Sequence, residues 1–226
     1  MSLKQHIKSF LEQQELDPNR KFHIFFIGKL RPFHKGHKAT YDFLRDSITI
    51  NNLNGTVYVG TKLKDDDFLT AEQQQTIIEL SGIPRENIIN YSGYNIRGLL
   101  RAVDGTEDDV VITSFSQKDL EDGSKTGLIS LPKDNITAWK RIEDLNDIKW
   151  LRPVSFIHKR YQDIEERKRQ KGTGYVVVTP TQSFGNIIMS SSYIRQQIAE
   201  NNWGAVAEIV VNQEVLEYLK KIKEKK

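Results

Sequence analysis

Cysteine is missing from the chain altogether. That excludes disulfides, thiolate nucleophiles and zinc–thiolate centres. Long apolar runs are missing too: nothing approaches the roughly 20 residues that a membrane-spanning helix needs. Neither sign of charge dominates. The 33 Lys and Arg against 30 Asp and Glu give a formal net charge of +3, which does not announce a nucleic-acid partner. The first twenty residues lack an apolar core and a small-residue cleavage site, so no secretion signal is read there and a cytoplasmic location is expected. Two familiar phosphate-binding patterns are also absent. Gly123-Ser124-Lys125-Thr126 has no upstream glycine at P-loop spacing, and no Gly-x-Gly-x-x-Gly follows a strand.

What is present is concentrated first around residues 22–37. His23-Ile24-Phe25-Phe26-Ile27 is too short and too rich in aromatic and β-branched residues for a helix, and reads as a buried strand. Gly28, Lys29, Arg31 and Pro32 make a basic loop. His34-Lys35-Gly36-His37 then opens an amphipathic helix running towards Ser47. Two imidazoles three apart at a helix N-terminus sit among free N–H groups and a partial positive charge, a setting suited to phosphate. The same residues also fit a plain strand–loop–helix crossover with exposed histidines. A metal reading is weaker, because no further ligand stands nearby at a familiar spacing.

The rest of the chain alternates strands and helices. Strands are expected over 56–60, 87–91, 109–113 and 175–180. A helix capped by Thr70 with Gln73 three residues on has the capping-box spacing, and a small helix is expected over 96–103. The pattern predicts an α/β, doubly wound parallel Rossmann-like sheet, residues 21–226, preceded by a helical extension over 1–20. The loops Gly28–His37, Thr61–Phe68 and Ser114–Asp119 should converge at one sheet edge. Residues 115–174 form a variable region: 124–146 read as a hairpin, and His158–Lys171 as a charged, solvated helix. The basic tail from Lys220 reads as frayed.

A second cluster follows the fifth strand. Met189-Ser190-Ser191-Ser192-Tyr193-Ile194-Arg195 places hydroxyls at a helix start and a guanidinium one turn on, a second anion site or a simple N-cap. Taken with Gly28-Lys29-Leu30-Arg31-Pro32-Phe33-His34-Lys35-Gly36-His37, this order resembles the two signatures of the nucleotidyltransferase superfamily, Gly-x-Phe-x-Pro-x-His-x-Gly-His and Ile-Ser-Ser-Thr-x-Ile-Arg. Leu30 departs from the family's Phe. The likeness covers residues 22–119 and 174–219.

The resemblance implies transfer of a nucleoside monophosphate to a phosphorylated small molecule with release of pyrophosphate. It makes His34, His37 and Lys62 or Lys64 the catalytic residues. Gly28, Lys35, Gly36, Ser190, Ser191 and Arg195 would hold the nucleotide, and Lys29 and Arg31 the acceptor. Lys118 and Asp119 are further candidates, placed only by following the fourth strand. Magnesium is expected through the triphosphate; Asp65-Asp66-Asp67 could touch it, or be merely solvated. Ser-Ser-x-x-Ile-Arg is the adenylyltransferase form, and Arg31–His37 look most like nicotinamide mononucleotide adenylyltransferases, so ATP is the favoured donor. A cytidylyltransferase using CTP and a catalytically silent nucleotide sensor are the alternatives. No membrane or nucleic-acid partner is expected, and a homo-oligomer is compatible.

Overall fold

The apolar run after Lys21 forms β1, Phe22–Ile27, at the centre of a six-stranded, all-parallel sheet. The structure is a computed structural model that describes residues 20–116, 138–142, 145–153, 173–179 and 189–225. In chain order, β1 is followed by α1 (Lys35–Ile50), β2 (Gly55–Gly60), α2 (Ala71–Leu80), β3 (Ile88–Ile89), α3 (Ile96–Ala102) and β4 (Val110–Ser116). Then come β5 (Ala138–Ile142), β6 (Thr173–Thr179), α4 (Ser191–Ala199), α5 (Trp203–Ile209) and α6 (Gln213–Glu224). The strand order is β3-β2-β1-β4-β6-β5.

Strands buried on both faces need apolar side chains at successive positions, and the period of two divides them between two cores. Phe22 and Ile24 of β1 and Val110 and Ile112 of β4 face one core, closed by α1, α2, α4, α5 and α6. Phe25, Ile27, Val111 and Phe115 face the other, closed by Ile96, Leu99 and Leu100 of α3. This is the doubly wound arrangement expected from the sequence. Thr70 and Gln73 cap α2 reciprocally, as their spacing requires. At the lower end of the sheet, a buried His23–Asp109 pair (Nε2···Oδ2 3.0 Å) ties β1 to the turn before β4.

The chain winds outward from β1 through β2 to β3, then crosses back to β4 on the other side of β1. The direction of winding therefore reverses between β1 and β4, registered Phe26 to Ser114. Their carboxyl ends open the crevice in which sheets of this kind take ligands.

Several boundaries differ from expectation. β4 continues through Ser114–Ser116, assigned above to a loop, because Ser114 and Phe115 are buried and Ser116 pairs with Thr179 of β6. Residues 138–142, inside the expected hairpin, instead form a parallel edge strand against β6. The third strand is only two residues long, preceded by a 3-10 turn at Arg85–Asn87. The basic tail is not frayed at Lys220: α6 runs to Glu224 and buries Ile222 with Leu219. The helix expected over 1–20, Lys118, Asp119 and the charged helix over 158–171 lie outside the described residues.

Candidate functional site

After β1 the chain turns sharply. Leu30 is held at φ +50° with only 3% of its surface exposed. Left-handed backbone at a γ-branched residue is costly, and such strain gathers at sites where geometry matters. The turn delivers His34 as the N-cap of α1, in extended conformation and with no side-chain cap bond, and His37 in the first helical turn. No acidic residue stands in that turn, so the positive end of the helix dipole is not offset locally.

The two imidazoles stack, ring centroids 3.6 Å apart. His37 also tilts against Phe33 and Phe26, at 5.3 and 5.9 Å. Gly36 makes room for this: a Cβ there would stand 3.2 Å from Nδ1 and Cε1 of His34. The Nδ1 atoms of both histidines are buried without a hydrogen-bond partner among the described residues. Burial pushes the His34 pKa down to about 4. Burial, and then the neighbouring His34, hold His37 well below its ordinary value. Both rings are therefore neutral at neutral pH. With Nδ1 enclosed and unpaired, Nε2 is the ring nitrogen left to meet a ligand.

This arrangement has a pH signature. A histidine whose folded pKa lies below its unfolded value contributes stability that is present above about pH 6.5 and lost as pH falls towards the folded value. For His34 the loss amounts to roughly 3 kcal/mol by pH 4. Thermal melting should therefore fall from pH 7 to pH 4 in the wild-type protein, and fall less in His34→Asn. Parallel slopes in the two proteins would show that His34 is not held neutral.

The second motif docks directly onto this turn. Ser190 caps α4, its hydroxyl accepting the Tyr193 N–H (3.1 Å). The Ser191 hydroxyl donates to the Pro32 carbonyl (3.0 Å). Arg195 Nη1 donates to the Arg31 carbonyl (2.8 Å), and its Nη2 to Ser192 Oγ (3.2 Å). Two segments some 160 residues apart in sequence thus share one surface. Lys35 reaches away to the Glu208 carbonyl at the end of α5 (2.6 Å). The Gly28 N–H is already spent on the Gly60 carbonyl (3.0 Å).

The loop after β2 joins from the other side. Thr61 Oγ1 and Gln74 Nε2 both donate to the Lys29 carbonyl, at 3.1 and 3.0 Å. The side chains of Lys29, Lys62 and Lys64 are exposed. Arg31, expected at an acceptor, instead turns inward and is 5% exposed. Asp65 accepts the Ala71 N–H, and Asp66 the N–H groups of Phe68 and Leu69. These two carboxylates are loop supports, and no cluster of three metal-ligating side chains occurs among the described residues.

Three contributors were missed from sequence. Gln74 is 1% exposed, yet bonds Lys29, Thr61 and Arg31. Tyr94 stands at the crevice itself, its hydroxyl 3.5 Å from the Ile27 carbonyl and its ring edge-on to Phe115 at 5.3 Å. The aromatic turn Tyr91-Ser92-Gly93-Tyr94 before α3 was the available signal. Buried Thr61 is the third, and its polar neighbourhood offered none.

No protein-family model matches the sequence, and no curated protein is significantly similar to it. Among solved structures, the chain is similar to the nicotinic acid mononucleotide adenylyltransferase of Plasmodium falciparum complexed with APC: 16% identity over 90% of this chain and 96% of that one, TM-score 0.47. It is also similar to a provisionally named nicotinate-nucleotide adenylyltransferase of Vibrio parahaemolyticus, with 13% identity over 90% and 94% of the two chains and TM-score 0.37. A third is Thermotoga maritima TmcAL bound with alpha-thio ATP, with 10% identity over 91% of this chain but 56% of that one, TM-score 0.44. Likenesses at these scores assign no function. The functional reading rests on the residues of the site.

Proposed function

We propose that this protein is a nucleotidyltransferase that moves AMP from ATP to the phosphate of a small acceptor, releasing pyrophosphate. The observation that carries the reading is the direct contact between the two motifs, Ser191 to Pro32 and Arg195 to Arg31, at the turn that follows β1. It sets two helix N-termini, α1 and α4, beside a pair of neutral imidazoles and exposed lysines. That combination suits a polyphosphate undergoing displacement.

The chemistry needs no protein nucleophile. An acceptor phosphate oxygen attacks the α-phosphorus, a new P–O bond forms, and the bond from the α-phosphorus to the bridging oxygen breaks, its electrons leaving with pyrophosphate. Catalysis is then positioning together with stabilisation of charge growing on the phosphoryl oxygens. His34 and His37 serve as neutral Nε2–H donors rather than as cations, which suits a site that must be emptied of a highly charged product. Ser190, Ser191 and Arg195 hold the β- and γ-phosphates. Lys29 faces the acceptor phosphate, and Lys62 or Lys64 neutralises the transferring group. Magnesium enters chelated by the triphosphate, as part of the substrate. Ser190-Ser191-x-x-Ile194-Arg195 resembles the adenylyltransferase form of the motif, which supports ATP over CTP as the donor.

The test is pyrophosphate release from each of four nucleoside triphosphates with magnesium, against mononucleotides and other phosphate monoesters. Release from ATP with one acceptor class is the expected outcome. Preference for CTP would replace the nucleotide and keep the reaction. Tight nucleotide binding with no release across the panel would contradict the proposal and leave a sensor.

A further inference from the structure

Arg31 lies in the centre of the site without a surface to offer a substrate. Its Nη1 donates to the Lys64 carbonyl (2.7 Å) and to Gln74 Oε1 (2.8 Å). Its Nη2 donates to the Leu69 carbonyl (2.6 Å) and pairs with Asp66 Oδ1 (2.9 Å). Three of these contacts are hydrogen bonds and the fourth is an ion pair, so both Nη atoms are engaged within the protein. The remaining donor, Nε, is buried with no partner among the described residues, so it cannot reach a phosphate. A guanidinium engaged in this way, on a residue only 5% exposed, presents no face to an acceptor.

What it does bind is a loop. Residues 61–70 contain neither helix nor strand, carry Lys62 and Lys64, and hold three consecutive acids. Backbone without secondary structure needs its carbonyls satisfied some other way, and Arg31 takes two of them. Asp66 bridges the same loop from within. Its desolvation would raise its pKa, but the Leu69 and Phe68 N–H groups and the Arg31 guanidinium more than offset this and hold it below the ordinary carboxylate value. Meanwhile the backbone carbonyl of Arg31 receives Arg195 Nη1. One residue therefore touches the lysine-bearing loop with its side chain and the serine–arginine helix with its main chain. It stands three residues before His34.

We propose that Arg31 is a positioning residue of the transfer reaction: it fixes the 61–70 loop, and with it Lys62 and Lys64, in register with His34, His37 and Arg195. The inference deepens the function proposed above and rests on it for the catalytic consequence, but the fixing of the loop stands independently. A planar fork spanning four acceptors in fixed directions is what lysine cannot reproduce, so Arg31→Lys keeps the charge and loses the register.

The experiment measures Arg31→Lys and Asp66→Ala in the full chain by amide hydrogen exchange, thermal melting and steady-state kinetics. In Arg31→Lys the amides of Phe68, Leu69 and Ala71 are expected to exchange at least about tenfold faster while strand amides stay protected. The kcat per folded molecule should drop on the order of tenfold, with the acceptor KM changed less than about threefold. Asp66→Ala should loosen the same amides, and combining it with Arg31→Lys should add little, since both act through one loop. A raised acceptor KM with unchanged loop exchange would overturn the proposal in favour of direct acceptor contact. Activity falling only with the folded fraction would reduce Arg31 to a stabilising residue and also overturn it. If the wild-type protein released no pyrophosphate, the proposed function would fail while the exchange data still decided whether Arg31 holds the loop.

Discussion

Replacing His37 by alanine is expected to lower kcat by about 10²–10³-fold, the usual consequence of removing one preorganised donor from a developing charge. Nucleotide affinity should change far less, because an interaction made mainly in the transition state appears in kcat and not in KM. The structure adds a second effect that the position of His37 in the sequence does not suggest. Its ring is half-buried between Phe26, Phe33 and His34, so it is not a free loop-edge side chain. Truncation should cost about 1–2 kcal/mol of stability and lower the melting temperature. His37→Asn, which keeps a donor, should retain more turnover than alanine. The check is kcat per folded molecule: if it is unchanged in the alanine variant, His37 supports the aromatic cluster and takes no part in the chemistry.

Arginine 195 is expected to behave in the opposite way. A charge-assisted contact to a triphosphate is made in ground and transition states alike, so Arg195→Ala should raise the nucleotide KM about 10- to 100-fold. A smaller loss of kcat should accompany it, because the variant also loses the 2.8 Å bond to the Arg31 carbonyl that ties α4 to the histidine turn. Arg195→Lys separates the two losses: the charge remains, and the paired geometry does not. Direct titration of the variants with a non-hydrolysable ATP analogue measures this. Undiminished affinity in the alanine variant would remove the serine–arginine helix from the site.

The convergence of the two motifs was legible because each sits at a strand-to-helix turn, and parallel crossovers bring such turns to one edge. The apolar run His23–Ile27 and the Thr70–Gln73 capping box were equally direct, since both are local patterns. The inward turn of Arg31 was not legible. An arginine beside a phosphate motif reads as a ligand, and its acceptors on Leu69 and Gln74 are 38 and 43 positions away. β5 was missed for a related reason: Ala138-Trp139-Lys140-Arg141-Ile142 carries two cations and finds its parallel partner, β6, some 35 residues on. The end of α6 is a different case. Val215, Leu216, Leu219 and Ile222 keep a helical apolar period through the basic tail, and the run of lysines concealed a pattern that was present.

The most direct measurement is ³¹P nuclear magnetic resonance of ATP, magnesium and a mononucleotide acceptor before and after addition of the protein. Attack at the α-phosphorus predicts inorganic pyrophosphate and a new diphosphate linkage in equal amounts, with no ADP, and both signals growing about 10²–10³-fold more slowly in His37→Ala. Formation of ADP, with a phosphoryl group moved or released as phosphate, would place the attack at the γ-phosphorus and contradict nucleotidyl transfer.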